Sequence, residues 1–378
     1  MDANVAVIGA GVVGLAVAQE LASRGRQVAV IERHGGLGYE TSSHNSGVVH
    51  AGIYYPTGSL KHTLCVDGNR LMYEWCAARG VRVNPLGKLI IAVDETEIAA
   101  LEGVELQARA NGVPGIERIS SADKLRELEP SVRCVAALWS ATSGVVDQSG
   151  LMSSYAAAAQ AQGAWIALKH EVREMSRTGE GFAIELSGPA GEASPITVET
   201  VVNSAGLGAP EIAAMLGYPL DGGASDGGDV PVLRQRVNKG RYYDIVAPEK
   251  ARALRHLVYP VPEHAKGGLG VHVTLDIDGG THLGPDTEWL ENGAVLDYRS
   301  DDVRRGDFHA AASRYLPSLT PEDLAPGQVG YRPKLQQPGG PLADFLIWRD
   351  GGYVHLGGIE SPGMTASLAI ARRVGEMI

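Results

Sequence analysis

The sequence predicts an α/β fold in two parts: a discontinuous, Rossmann-like domain in three layers around a central parallel sheet, and a second domain on a mixed or antiparallel sheet. Three observations carry this. The chain opens as strand, glycine turn, helix and strand, it closes as strand, glycine turn and helix, and between them lies a long β-rich stretch punctuated by glycine and proline.

The opening unit reads NVAVIGAGVVGLAVAQELASRGRQVAVIE. Val5 to Ile8 is an unbroken apolar run suited to a buried parallel strand, and Val12 to Arg24 is rich in helix formers. Gly25 is placed to end that helix in a left-handed conformation, and Val28 to Ile31 resumes the sheet. Further on, SLKHTLCVDGNRLMYEWCAARG sets Leu60, Leu64, Leu71 and Trp75 at helical spacing, with Ser59 as N-cap and Gly80 past the end. An alanine-rich helix is expected near 149–162, followed by strand-like WIAL, FAIEL and ITVETVVNSAG. GGASDGGD at 222–229 is the segment of lowest complexity and reads as a crossing between domains. The terminal YVHLGGIESPGMTASLAIARRVGEMI is strand, turn and helix, so the first domain is discontinuous if that strand joins the first sheet. The expected division is 1–85, 145–222 and 325–378 for the dinucleotide domain, with 86–144 and 223–324 for a substrate domain.

Composition narrows the function. With 44% hydrophobic and 20% charged residues in 378, the chain is ordinary for a globular protein of two domains. A formal net charge of -11 argues against nucleic acid or anionic membrane surface as a general partner, so an anionic substrate needs a few placed cations. Cys65, Cys76 and Cys134 form no CxxC pair. Two of them on one helix face would stand roughly 16 Å apart, beyond disulfide reach, so all read as packing residues, no metal site is expected, and a reducing compartment fits. No signal peptide is visible, and no apolar run approaches the ~18 residues that span a bilayer. The expected location is cytoplasmic, with any membrane contact peripheral and on the inner face.

Gly9-x-Gly11-x-x-Gly14 stands after a strand and opens a helix, as dinucleotide binding requires. Gly9 permits the turn, Gly11 the approach of a pyrophosphate to the helix N-terminus where Val12 and Val13 begin, and Gly14 the close packing of helix on strand. Glu32, about 20 residues on, is placed to take ribose hydroxyls. The motif leaves NAD and FAD open. A long polar loop decides between them: after Glu32 and Arg33, Ser42, Ser43, His44, Asn45, Ser46 and Gly47 offer donors suited to a pyrophosphate, a ribityl chain and an isoalloxazine edge.

The stretches VIGAGVVGLAVAQEL, ERHGGLGYETSSHNSGVVHAGIYYPTGSLK, VVNSAGLGA, THLGPDTEW, GYRPKLQ and GGIESPGMTASLAIA together resemble the D-amino-acid oxidase-like family of FAD-dependent oxidoreductases. Within it they are most similar to the L-2-hydroxyglutarate dehydrogenases or oxidases. The resemblance covers essentially the whole chain and implies FAD as cofactor. It further implies that the backbone of Val172 meets the adenine and that Ala205 and Gly206 end a strand returning to FAD. Gly358, Ser361, Pro362, Gly363, Met364 and Thr365 correspond to the turn at the flavin pyrimidine edge, where a helix N-terminus would stabilise negative charge on the reduced ring.

A flavin that accepts a hydride needs a substrate held over its ring and a base for the departing proton. His50, closing the polar loop, is the first candidate base, and His272 in GVHVTLDI is the second. Arg332 and Lys334 in GYRPKLQ are candidates to hold a carboxylate. A 2-hydroxy dicarboxylate needs a second anchor, for which Lys61, Arg236, Lys239, Tyr54, Tyr55 and Tyr259 are candidates. The expected reaction is oxidation of L-2-hydroxyglutarate to 2-oxoglutarate, with electrons passing to oxygen, a quinone or a carrier protein. The rivals are glycerol-3-phosphate dehydrogenase, amino-acid oxidase, a flavin-binding subunit without turnover, and a nicotinamide dehydrogenase.

Overall fold

A computed structural model of the chain describes residues 1–225, 228–261 and 270–378. The chain divides into two compact units, Met1–Ser43 with Gln148–Val237 and Arg332–Ile378, and His44–Asp147 with Asn238–Tyr331.

The first unit is built on parallel strands. Ala3–Ile8 lies between Val28–Glu32 and Ile196–Asn203, Trp165–Leu168 extends the sheet beyond Val28–Glu32, and Tyr353–Gly357 pairs parallel with the second half of Ile196–Asn203. The C-terminal strand therefore joins the opening sheet, although the parallel strand it pairs with ends far back in the sequence at Asn203. Leu346–Asp350 adds an antiparallel edge, and Glu171–Arg177 with Phe182–Ser187 forms an antiparallel wing on the first half of Ile196–Asn203.

Helix Val12–Ser23 packs against both Gln148–Ala161 and the C-terminal helix Gly363–Met377. Ala6, Ile8, Ala29 and Ile31 share a core instead with Ile212 and Ala213 of helix Ala209–Met215 and with Val172, Met175, Ile184 and Leu186 of the wing. Alternate residues of a strand point to opposite faces, so the sheet is covered on both sides, which gives the expected three layers. Gly25 has φ +82, as a left-handed helix stop requires.

The second unit holds a mixed sheet. Lys88–Ala92 pairs parallel with Leu257–Pro260 and antiparallel with Ala136–Ser140, and Leu257–Pro260 continues antiparallel through His272–Leu275 to Thr281–Gly284 and Arg236–Ile245. One face, carrying Leu89, Ile91, Val258 and Val273, packs on Phe308, Ala312 and Leu316 of and beside helix Arg305–Ser313. The other face buries Ile90, Leu257 and Tyr259 with Val48, Ala51 and Ile53.

Helix Leu60–Arg79 has the expected caps: the Ser59 side chain accepts from His62 N–H, and Gly80 is left-handed at φ 66. Its buried stripe matches the expected face in part: Leu64 and Leu71 are inside, with Lys61, Cys65, Asn69, Met72 and Cys76, whereas Leu60 is half-buried and Trp75 is half-buried beneath the Arg79 guanidinium.

The grouping differs from expectation at 44–85, 145–147, 223–237 and 325–331. Residues 44–85 group with the second unit, because Val48–Val49 pairs with Gly144–Val146 and the Asn69 amide donates to the carbonyls of His50 and Thr142, each at 2.9 Å. In GGASDGGD, Gly223–Ser225 and Gly228–Val230 form a small hairpin within the first unit, residues 226–227 lie outside the described residues, and the chain crosses at Val237. No helix among the described residues is long and apolar enough to cross a membrane.

Candidate functional site

In the first unit, the turns after Ala3–Ile8, Ile196–Asn203 and Tyr353–Gly357 emerge at one edge, the carboxyl end of the parallel sheet, where open α/β sheets bind ligands. Gly9 has φ +99, and a Cβ there would stand 2.8 Å from the carbonyl oxygen of Ser204. A Cβ on Gly14 would stand 2.1 Å from the Gly9 carbonyl oxygen, so the helix can sit this close to the turn only with glycine. Gly11 caps Val12–Ser23 without a side-chain bond, and the first turn of that helix holds no acidic residue. These features leave a positive backbone pole at the helix start, the chemistry a pyrophosphate needs.

Glu32 is buried, and its two carboxylate oxygens accept Ala10 N–H at 2.8 Å and His34 N–H at 2.7 Å. The end of the second strand is thereby tied to the glycine turn, with the acidic group beside it. Arg33 pairs with Glu40, which also meets His34 Nε2 at 2.9 Å. The polar loop folds over the same turn: Gly38 N–H donates to the Ala10 carbonyl at 3.0 Å, and Ser42 Oγ accepts Val12 N–H at 3.0 Å. Ser42 thus accepts a bond at the helix N-terminus, which leaves its own O–H as a donor. Ser43 is exposed and its hydroxyl donates to the Glu40 carbonyl at 3.3 Å.

The remainder of the loop belongs to the second unit. His44 packs its ring 4.3 Å from that of Tyr298, Asn45 Oδ1 accepts Gly47 N–H at 3.0 Å, and Ser46 is half-buried beside them in sequence.

At the C-terminal turn, Gly358 is left-handed at φ 63 and helix Gly363–Met377 begins after Pro362 with no side-chain cap and no acid in its first turn. Met364 is half-buried and Thr365 fully buried. Gln235, which sequence reasoning missed, joins two of the turns: its amide donates to Gly206 O at 2.9 Å, next to Ala205, and its oxygen accepts Gly358 N–H at 2.7 Å. No local pattern marks a lone glutamine for this work. Lys334 lies 2.7 Å from Glu360, so its charge is matched within the Glu360–Ser361 turn and it is not an uncommitted cation for substrate. Arg332 is half-buried on the strand Leu324–Lys334. Val172 is buried in the wing at a register shift, with its side chain in the core.

The second unit brings His50, Tyr259 and His272 together with Lys88, a residue not among the candidates above. Tyr259 and His272 are each 3% exposed and stack with ring centroids 3.7 Å apart. Lys88 is 1% exposed, with Nζ 4.0 Å from the centroid of the Tyr259 ring. Burial, then the Lys88 and His272 charges, push the half-buried His50 well below the ordinary imidazole range, which keeps it a neutral proton acceptor. Burial also brings the Lys88 ammonium down to about 7. The Tyr54 hydroxyl is buried with no hydrogen-bond partner among the described residues, and its neighbour Tyr55 is half-buried.

Other proposed anchors are engaged elsewhere: Arg236 Nε donates to Gln337 at 3.0 Å and Lys239 lies 3.5 Å from Asp301, while Lys61 is buried on its helix. A signal for Lys88 was present in the sequence, since one lysine heads the otherwise apolar strand KLIIA.

Residues 4–377 match the family model described as FAD dependent oxidoreductase. A mitochondrial L-2-hydroxyglutarate dehydrogenase of Arabidopsis thaliana is 37% identical over 97% of this chain and 82% of its own length. A protein of that name from Caenorhabditis elegans is 31% identical over 98% of this chain and 92% of its own, and an L-2-hydroxyglutarate dehydrogenase of Escherichia coli strain K12 is 28% identical over 97% and 91%. Among solved structures, the FAD-bound L-alpha-glycerophosphate oxidase of Mycoplasma pneumoniae superposes with a TM-score of 0.83 at 27% identity, covering 98% of this chain and 93% of that one. L-proline dehydrogenase from P. horikoshii, at 20% identity and a TM-score of 0.79 over 100% and 93%, shares the fold.

Proposed function

From the premise that this chain belongs to the FAD dependent oxidoreductase family, we propose that it oxidises the 2-hydroxyl of L-2-hydroxyglutarate, giving 2-oxoglutarate. The observation that carries this reading is similarity along nearly the whole chain to relatives named for that substrate in a plant, an animal and a bacterium. Bound FAD supplies the acceptor for the hydride that leaves C2.

The chain's own residues have the remaining tasks. Gly9, Gly11, Gly14 and the start of Val12–Ser23 would hold the pyrophosphate, with Glu32 at the ribose. The start of Gly363–Met377 would place its positive pole at the flavin. His50 would take the hydroxyl proton, a role suited to an imidazole that burial keeps neutral. His272, stacked on Tyr259, would hold that ring, and Arg332 would offer its planar fork to a carboxylate. Electrons then leave for oxygen, a quinone or a carrier protein, and the cysteines suit a cytoplasmic setting, soluble or peripheral to the membrane.

Anaerobic addition of L-2-hydroxyglutarate to the FAD-loaded protein should bleach its visible absorbance. Bleaching by glycerol 3-phosphate alone would give the substrate reading to the glycerophosphate oxidase relationship instead. His50→Ala should keep FAD and be reduced about 100- to 10,000-fold more slowly, the usual contribution of a general base; an unchanged rate would move that role to another residue. Arg332→Ala should weaken apparent substrate affinity about 10- to 100-fold, as loss of a charge-assisted pair does, and an unchanged value refutes the assignment.

A further inference from the structure

Lys88 begins its strand on the same face as Ile90, opposite Leu89 and Ile91, by the two-residue period of the pleat. Its partner strand Leu257–Pro260 sets Leu257 beside it and Tyr259 beside Ile90, and the next strand brings His272 onto the Tyr259 ring. The groups in reach of the ammonium are therefore Tyr259, on whose ring it sits, His272 stacked on that ring, His50 from the segment after the polar loop, and Cys65 from helix Leu60–Arg79, while Tyr54 packs on the same core as Tyr259. None of these is a carboxylate, and Lys88 makes no ion pair with any described residue.

A buried lysine without a counter-ion is costly, and proteins keep one where it deprotonates or where a ligand supplies the missing charge. Two further observations favour the ligand. His50 beside it is only half-buried, and the buried Tyr54 hydroxyl, in the same core as Tyr259, has no hydrogen-bond partner among the described residues. A cation without a counter-ion and a donor without a hydrogen-bond partner, both on the sheet face that carries Tyr259, are the elements of an anion site.

Resting on the dicarboxylate reading above, we propose that Lys88 receives the second carboxylate of the substrate, with the Tyr54 hydroxyl as its companion donor. Lys88 then separates a 2-hydroxy dicarboxylate from a 2-hydroxy monocarboxylate of similar length. Because burial holds the ammonium near neutrality at rest, arrival of the anion draws a proton onto it. In a mildly alkaline solution binding is accompanied by proton uptake.

The test compares L-2-hydroxyglutarate with L-2-hydroxybutyrate on FAD-loaded wild type and Lys88→Met. The expected result is a KM for the dicarboxylate raised at least about tenfold, as for a lost charged partner, with kcat within about threefold and the monocarboxylate KM unchanged. Equal effects on both acids, or on neither, overturn the assignment. A fall in kcat with KM unchanged would make Lys88 a proton-transfer group and overturn it as well.

Should Lys88→Met fail to retain FAD, calorimetry of wild type and Lys88→Arg with 2-oxoglutarate near pH 8, in buffers of different ionisation enthalpy, decides the matter. Wild type should take up close to one proton per site and the always-charged arginine variant none. Binding to wild type without proton uptake refutes the proposal. Failure of wild type to be reduced by L-2-hydroxyglutarate removes the function reading, whereas proton uptake with 2-oxoglutarate still reports on the anion site by itself.

Discussion

At the scale of single residues, the three motif glycines have unequal structural demands. The Cβ of an alanine at 14 would meet the Gly9 backbone at 2.1 Å, and neither partner can retreat without moving the first helix off its strand. At Gly11 the nearest atom is Ser42 Oγ, 2.9 Å away, the end of a side chain that can rotate. Gly14→Ala should therefore destabilise the first unit by about 1–3 kcal/mol or more, lowering the unfolding midpoint. Gly11→Ala should unfold like wild type and instead bind FAD more weakly in a flavin-release titration. Equal unfolding midpoints for the two variants would contradict the packing account. The motif's spacing was legible in the sequence, but this difference was not, because it depends on which atoms face each glycine. Lys88 was legible in principle as the one charge in an apolar strand, yet sequence does not show whether such a charge is paired.

At the scale of elements, the ones with their own punctuation could be read. Helix Leu60–Arg79 is bracketed by Ser59 and Gly80, and Val12–Ser23 by two glycines, so local chemistry alone defines their ends. What they pack against was not local. Val48–Val49 is too short to show a strand pattern and finds its partner Gly144–Val146 about a hundred residues later, which is why the assignment of residues 44–85 differed. The same limit hid Gln235, whose two bonds join the turn at Gly206 to the turn at Gly358. Gln235→Ala would leave a carbonyl and an N–H without these partners at a cost of about 1–3 kcal/mol if both stay dry. The variant should lose FAD more readily on dilution while the second unit's thermal unfolding stays unchanged; wild-type FAD retention would show that the two turns hold their places without it.

For the molecule as a whole, the buried histidines set how stability depends on pH. His355 is fully buried on the C-terminal strand, within 3.2 Å of both the Asn203 amide and the Tyr353 hydroxyl, and burial lowers it to about 4. Between that value and the ordinary 6.5, the unfolded chain binds a proton that the folded chain refuses, so stability rises with pH there and is lost on acidification. His50 is displaced in the same direction. His282 opposes them: burial alone would lower it, but Asp244 at 2.7 Å and Asp276 at 3.0 Å outweigh that and raise it. Its stabilisation is present below the unfolded value and fades as pH climbs through the raised one. Because the His355 effect belongs to the sheet that carries the dinucleotide turns, acid should release FAD as that sheet opens. Between about pH 7.5 and pH 5, the His355 contribution amounts to about 2 kcal/mol. Denaturant unfolding of wild type and His355→Gln at these two pH values should show the variant losing less stability on acidification by about that amount. Parallel losses in the two proteins would place the acid sensitivity in other groups, with His50 the next to test.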